Sequence, residues 1–239
     1  MSKESLKSLE DLQFLFLRAA FSISHSCPRP ILLFDTKTLS MELIVAREKL
    51  LFGFHLENLP NDSLGNEVWN TLKHLNLPGL YKETRELMSD LGIDSMRNYS
   101  KHQWKTKVNS AVDEANHKSL LNQIKTYKKL NYDELTKEEY EVKDYINKLP
   151  LAKSRTFMHY RAKMLKGFKM NFQSDPIFEK ENFKCVCGRI SSQNHALNSC
   201  DLYEDLLDIH DTESTEGLID FFDAVLQRKQ EEDDKKLSQ

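Results

Sequence analysis

Seven glycines and six prolines in 239 residues are too few for a many-turned β architecture, whose turns draw heavily on both. No apolar run approaches the roughly 18 residues that cross a bilayer, so no membrane partner is expected. The opening MSKESLKSLEDLQFLFLRAAFSI places Glu4, Glu10 and Asp11 where a secretory signal has a basic flank and an uninterrupted apolar core. A cytoplasmic or nuclear, reducing location follows as the expectation. Cysteine is scarce, at four residues. In a reducing compartment a tight group of cysteines favours metal over disulfides. Enzyme signatures are missing too: there is no glycine-rich phosphate loop, His-Glu-x-x-His, Gly-x-Ser-x-Gly or dinucleotide fingerprint. Asp233-Asp234 is the only adjacent aspartate pair, and it sits in a charged tail behind two glutamates. His55 and His74 lie on helical patterns that suit packing or surface roles. No carboxylate pair has the apolar setting that raises a pKa. No catalytic residue is expected, and the chain reads as a non-enzyme.

What is present is helix. Leu6, Leu9, Leu12, Phe16 and Ala20 recur every three or four residues and predict one apolar face. Pro28 and Pro30 break that helix. Further helices are expected over 39–56, 63–76 and 79–91, with Gly92 placed for a left-handed cap. Ser100-Lys-His-Gln103 is a capping-box pattern leading into a helix with Trp104, Val108, Ala111, Ala115 and Leu121 inside. Thr136-Lys-Glu-Glu139 predicts another start. A basic helix is expected over 151–168. A last helix over 214–230 carries the stripe Leu218, Phe221, Phe222 and Val225, with a frayed EEDDKKLSQ end. The fold class is therefore mainly α, a multi-helix bundle. Its charge is uneven: residues 1–200 hold 30 Lys/Arg against 24 Asp/Glu, whereas 201–239 hold 4 against 13. A basic body thus carries an acidic tail.

Two stretches bear chemistry. Cys185, Cys187, His195 and Cys200 have the spacing C-x-C-x7-H-x4-C. Zinc takes four tetrahedral S and N ligands, and Cys3His is a closed, structural set. Two near-adjacent thiols beside Gly188 can face one ion, with His195 and Cys200 supplied by a short helix and its end. The bland alternative is a few buried cysteines and a surface histidine. Cys27, far away in sequence, reads as an ordinary buried thiol. The other stretch holds Lys153, Arg155, Arg161, Lys163, Lys166 and Lys169 with no acid among them, interleaved with Phe157, Tyr160, Phe168 and Phe172. Unopposed cations suit a phosphate backbone and exposed aromatics suit unpaired bases. Phe157 and Phe168 read better as core. The competing reading is a solvated helix packed against the acidic 133–144 segment or the acidic tail. Lys101, Lys105, Lys107, Lys125, Lys128 and Lys129 add charge on the preceding long helix.

Taken in order, LEDLQFLFLRAAFSI, CPRPILLFDT, LSMELIVAREKLLFGFHLENLPNDSLGNEV, NLPGLYKETRELMSDLGI, SKHQWKTKV, AKSRTFMHYRAKMLKGFKMNF and the cysteine–histidine group before DLYEDLL resemble a known family. This is the carboxy-terminal, post-palm region of reverse transcriptases from non-LTR, LINE-type retrotransposons. The resemblance spans nearly the whole chain. It implies thumb- and linker-like helices over 1–99 and a long helix, acidic helix and basic helix over 100–170. A zinc-knuckle-like element over 171–210 and a C-terminal helix with acidic tail over 211–239 complete the division. It also implies that Cys185, Cys187, His195 and Cys200 form the zinc knuckle, where the family more often opens with C-x2-C. The family polymerises DNA with an aromatic-x-Asp-Asp motif, and this sequence has none, so the resemblance implies a fragment without the catalyst. The leading expectation is a zinc-stabilised module binding RNA or DNA, with Lys153, Arg155, Arg161, Lys163, Lys166 and Lys169 on phosphates. The metal loop would present Arg189 and Gln193. The alternatives are a helical protein-binding scaffold whose acidic tail covers the basic face, a polymerase subunit acting in trans, and an element remnant with no role.

Overall fold

The computed structural model describes residues 2–24, 27–96, 98–127, 140–165, 168, 185 and 187–237. Most of these residues are helical, and among them no β-strand occurs. In chain order the helices are α1 (Lys3–Phe21), α2 (Arg29–Asp35), α3 (Met41–Glu57), α4 (Leu64–His74), α5 (Leu80–Asp90) and α6 (Lys101–Thr126). Next come α7 (Asp144–Lys148), α8 (Leu151–Arg161), α9 (Gln193–Asn198), a 3-10 turn (Asp201–Tyr203), α10 (Glu204–Ile209) and α11 (Thr215–Leu237). No helix among the described residues is long and apolar enough to cross a membrane. The chain divides into two compact units, Met1–Leu12 with Thr38–Asn122 and Gln13–Lys37 with Gln123–Gln239.

The first unit is built on α3, whose start is fixed by Ser40 accepting a hydrogen bond from the Leu43 N–H. Its buried Leu50 and Phe54 meet Met88, Ile93, Trp104, Val108 and Val112. Phe54 stacks on Trp104 at 5.3 Å, and the Trp104 indole donates to the Leu50 carbonyl at 3.2 Å. Gly53 is needed for close approach, because a Cβ there would stand 2.9 Å from Thr84 Cγ2 and 3.2 Å from the Trp69 ring. The capping box is present in both directions: the Gln103 N–H bonds Ser100 Oγ, and the Ser100 N–H bonds Gln103 Oε1. Gly92 is left-handed, as its place after α5 predicts. In α6, however, Ala115 and Leu121 are only half-buried. The buried positions are Trp104, Val108, Val112, Asn116, Leu120 and Ile124. A row spaced by four winds round the helix by about 40° per step, so it drifts away from a 3.6-residue stripe.

The second unit takes α2 as its innermost piece. Pro30, Ile31, Leu32, Leu33, Phe34 and Asp35 are all buried. α1 ends at Phe21, where Ser22 turns left-handed, well before Pro28; the two prolines instead start this unexpected helix, since a missing N–H costs nothing in a first turn. α11 packs on α8 and α10 through Phe221, Phe222 and Val225. Phe222 lies 5.1 Å from the Tyr160 ring and 5.7 Å, edge-on, from Phe168. Arg228 on α11 clasps Asp205 of α10 with two hydrogen bonds of 2.6 and 2.7 Å.

Three expectations are corrected here. The apolar row of α1 is real but outward: Leu9, Leu12 and Phe16 are exposed, Phe16 by 73%, and the buried row is Phe14, Leu17 and Phe21. α1 carries two apolar rows, and periodicity does not say which one finds a partner. The basic helix stops at Arg161, where Lys163 turns left-handed at φ 56 and the Met164 N–H closes back on the His159 carbonyl at 2.7 Å. The last helix continues to Leu237 instead of fraying after 230. Thr136–Glu139, Lys128, Lys129 and Phe172 lie outside the described residues.

Candidate metal centre

The cysteine–histidine group belongs to the second unit's core. Cys185, Ala196, Cys200 and Tyr203 are buried in one cluster with Leu165, Phe168 and the α11 aromatics. Local sequence aims each donor. The Gly188 N–H closes a turn on the Cys185 carbonyl at 2.8 Å, with Gly188 at φ 84, so the chain folds back between the first two cysteines and Arg189. The Arg189 carbonyl then accepts from the Cys185 N–H at 2.8 Å. Ser192 caps α9 by accepting from the His195 N–H at 3.0 Å, which fixes the backbone that carries the imidazole. Cys200 lies just beyond the end of α9, as the four-residue spacing requires.

The four donor atoms all lie within 4.8 Å of one another. The sulfurs of Cys185 and Cys200 are 3.5 Å apart, and Cys187 Sγ is 3.1 Å from His195 Nε2. A tetrahedral zinc with Zn–S near 2.3 Å and Zn–N near 2.05 Å would hold sulfurs about 3.8 Å apart and sulfur and nitrogen about 3.6 Å apart. Those two pairs fit such an ion with adjustments of a few tenths of an ångström, and a pair at the 4.8 Å limit would close by about 1 Å. All four cysteines are free thiols.

The electrostatics divide the two buried thiols. Burial pushes the Cys185 thiol up, yet the backbone N–H of Cys187 and hydrogen bonds from Cys200, Cys187 and Tyr203 outweigh it and leave the thiol below its ordinary value. Burial, then the hydrogen bond and charge of Cys185, push Cys200 up to about 12. Burial lowers the His195 pKa, and Arg189 and Lys229 lower it further, so the imidazole is held neutral and able to ligate. Those same two cations offset the single negative charge that three thiolates leave on a divalent ion. Lys229 also ties α11 to the loop, lying 3.9 Å over the Phe168 ring and donating to Ser191 Oγ.

Among the described residues, the basic side chains of this stretch are each engaged within the chain. Arg161 is only 14% exposed and forks onto the buried Asp35, Nε to Oδ2 at 2.6 Å and Nη2 to Oδ1 at 2.8 Å. The Tyr145 hydroxyl donates to the same carboxylate at 2.7 Å. Arg155 Nε donates to the Ala20 carbonyl at 2.9 Å, and Lys153 pairs with Asp220 of α11 at 2.7 Å. Lys163 lies 4.8 Å over the Tyr160 ring. Lys166 and Lys169 lie outside the described residues. Arg189 is exposed, but Gln193 is buried beside Ala196 on the inner side of α9 and presents no surface. Sequence reasoning missed Ser192, Tyr203 and Lys229. Ser192-x-x-His195 was a readable cap, whereas nothing marked Lys229, some thirty residues downstream. In the first unit an open cavity of about 230 Å³ is lined by Glu57, Trp69, Lys73, Tyr81, Arg85 and Met88. Its carboxylate is engaged by Lys73 at 2.8 Å and by the Trp69 indole. No family model, curated protein or solved structure matches the chain.

Proposed function

We propose that this chain is a non-catalytic helical interaction module stapled by a structural Zn2+ on Cys185, Cys187, His195 and Cys200. The observation that carries the reading is the closed set of four donors, two of which, Cys185 and Cys200, sit in the hydrophobic cluster. Four protein donors fill a tetrahedral ion and leave no position for a water or substrate, which is the arrangement of structural zinc. When bound, the ion supplies a cross-link and nothing more. The residues do the rest: Ser192 orients His195, Gly188 turns the first pair inward, and Tyr203 with the Cys187 N–H settles the Cys185 thiolate. The resemblance to the post-palm region of LINE-type reverse transcriptases suggests where such a module would serve, beside a polymerase rather than as one.

The partner we favour is protein. Arg161, Arg155 and Lys153 are engaged within the chain, which leaves them little to offer a phosphate backbone. Apolar side chains are available instead. Leu64, Val68 and the following Leu75 fall within about 40° on α4, at 75%, 49% and 63% exposure. Such contiguous rows mark protein contact more often than solvent. Nucleic acid is the second reading, supported by the exposed Arg189 beside the metal loop.

The experiment has two parts. Metal analysis of the reduced chain should find stoichiometric zinc, and a chelator should remove helix signal; a chain purified without metal, or indifferent to chelation, overturns the staple. Fluorescence anisotropy with single-stranded RNA across a salt series then decides the partner. Weak binding at low salt agrees with a protein partner. Tight binding with a steep salt slope overturns it in favour of nucleic acid.

A further inference from the structure

We propose that the Cys3His group is also a thiol-oxidation site: a peroxide enters at Cys187, and the oxidation ends as a Cys185–Cys200 disulfide that ejects the metal. The thiol chemistry stands on the sulfur positions alone; only the ejection rests on the zinc reading above. Cys187 is the exposed member of the group, whereas Cys185 and Cys200 are buried. The three sulfurs lie within 4.8 Å of one another, and the two buried ones are the close pair at 3.5 Å. A disulfide needs about 2 Å between sulfurs, so a closure of about 1.5 Å through side-chain rotation suffices. Cys27 is 3% exposed and is not part of the group, so it serves as an internal bystander.

The chemistry runs in three balanced steps. The Cys187 thiolate attacks one peroxide oxygen, the O–O bond breaks, and the products are a Cys187 sulfenic acid and hydroxide. The Cys185 thiolate then attacks the Cys187 sulfur. The S–O bond breaks, hydroxide leaves, and a mixed Cys185–Cys187 disulfide forms. Finally the Cys200 thiolate attacks Cys185, and the Cys187 thiolate departs. The net change is two thiols and one hydrogen peroxide to one disulfide and two waters; sulfur loses two electrons and the peroxide oxygens gain them. The bond comes to rest between the buried pair, sheltered from solvent thiols, and Cys187 is returned reduced. Only Cys187 and His195 then remain as donors, too few for a closed site.

The test treats the full-length, zinc-loaded, reduced chain with hydrogen peroxide, following zinc with a chromogenic indicator and mapping disulfides by non-reducing digestion and mass spectrometry. The expected result is zinc release in step with a Cys185–Cys200 bond, reversed by dithiothreitol and added zinc. The metal-free Cys187→Ser chain should form that bond about tenfold more slowly, because the exposed thiol that meets the oxidant is gone. A bond to Cys187 or Cys27 as the end product, or a Cys187 sulfonic acid with no disulfide, overturns the proposal. If the chain carries no zinc but the same bond maps, the metal reading fails and the oxidation site stands. If zinc stays bound and the thiols stay reduced, the oxidation site fails and the metal reading stands.

Discussion

Replacing Arg161 with methionine tests whether this cation belongs to the fold or to a ligand. Asp35 is completely buried, and Arg161 grips it with two hydrogen bonds of 2.6 and 2.8 Å. Removing one partner of a buried pair leaves an uncompensated charge and costs about 3–5 kcal/mol. Arg161 keeps 14% of its side chain in water, which puts the expectation at the low end. We therefore expect Arg161→Met to destabilise the second unit by about 3 kcal/mol. A surface cation awaiting phosphate would instead cost at most about 0.5 kcal/mol. Arg161→Lys should recover only part of the loss, since an ammonium cannot span both carboxylate oxygens. The double variant Asp35→Leu/Arg161→Met should recover most of it, because an apolar pair replaces a desolvated ionic one. Urea unfolding followed by far-UV circular dichroism is the assay. Tryptophan fluorescence would mislead, because Trp69 and Trp104 both belong to the first unit. A loss below about 1 kcal/mol for Arg161→Met would refute the reasoning, and it would return Arg161 to the pool of phosphate-binding cations.

Asn116→Leu completes the apolar row of α6 yet should cost about 1–3 kcal/mol in thermal or urea unfolding. Asn116 Nδ2 donates to the Thr38 carbonyl at 3.2 Å and its Oδ1 accepts from the Ser40 N–H at 3.5 Å, and leucine removes both bonds. Asp223→Asn should raise the melting temperature at neutral pH. Partial desolvation, then the Asp220 charge, hold the Asp223 pKa above its ordinary 3.8 although the residue stays exposed, so its ionised form is a small liability at neutral pH. The sign follows: the folded state binds the proton more tightly, so the advantage of asparagine should shrink as pH falls through the folded value toward 3.8, and an advantage independent of pH would contradict it. His195→Ala should abolish stoichiometric zinc retention, since structural zinc binding is worth about 10–16 kcal/mol in small domains and depends on all four donors. Retention of tight zinc binding by that variant would show that His195 is not a ligand.

The Cys3His group was legible because its information is local. Two cysteines beside Gly188, a serine cap three residues before His195, and Cys200 just beyond the end of α9 are all set by short-range geometry. Helix ends were less legible, and the reason is specific. Four helices finish with a left-handed residue and an N–H that closes back on the carbonyl five residues earlier: Ile23 to Arg18, Leu77 to Leu72, Ile93 to Met88, and Met164 to His159. Only one of them places glycine at the left-handed position, Gly92; the others use Ser22, Asn76 and Lys163. A left-handed lysine carries a cost of about 1 kcal/mol or more and leaves no signature in sequence, so a helix over 151–168 was the natural reading. The partners of the basic stretch were illegible for a deeper reason. A run of cations without neighbouring acids suggests an external anion, but the acids that answer it, Asp35 and Asp220, lie 126 and 67 residues away in the chain. Charge that appears unopposed along the chain can be opposed in space. A functional claim built on a basic run therefore needs each cation's partner before it needs a ligand.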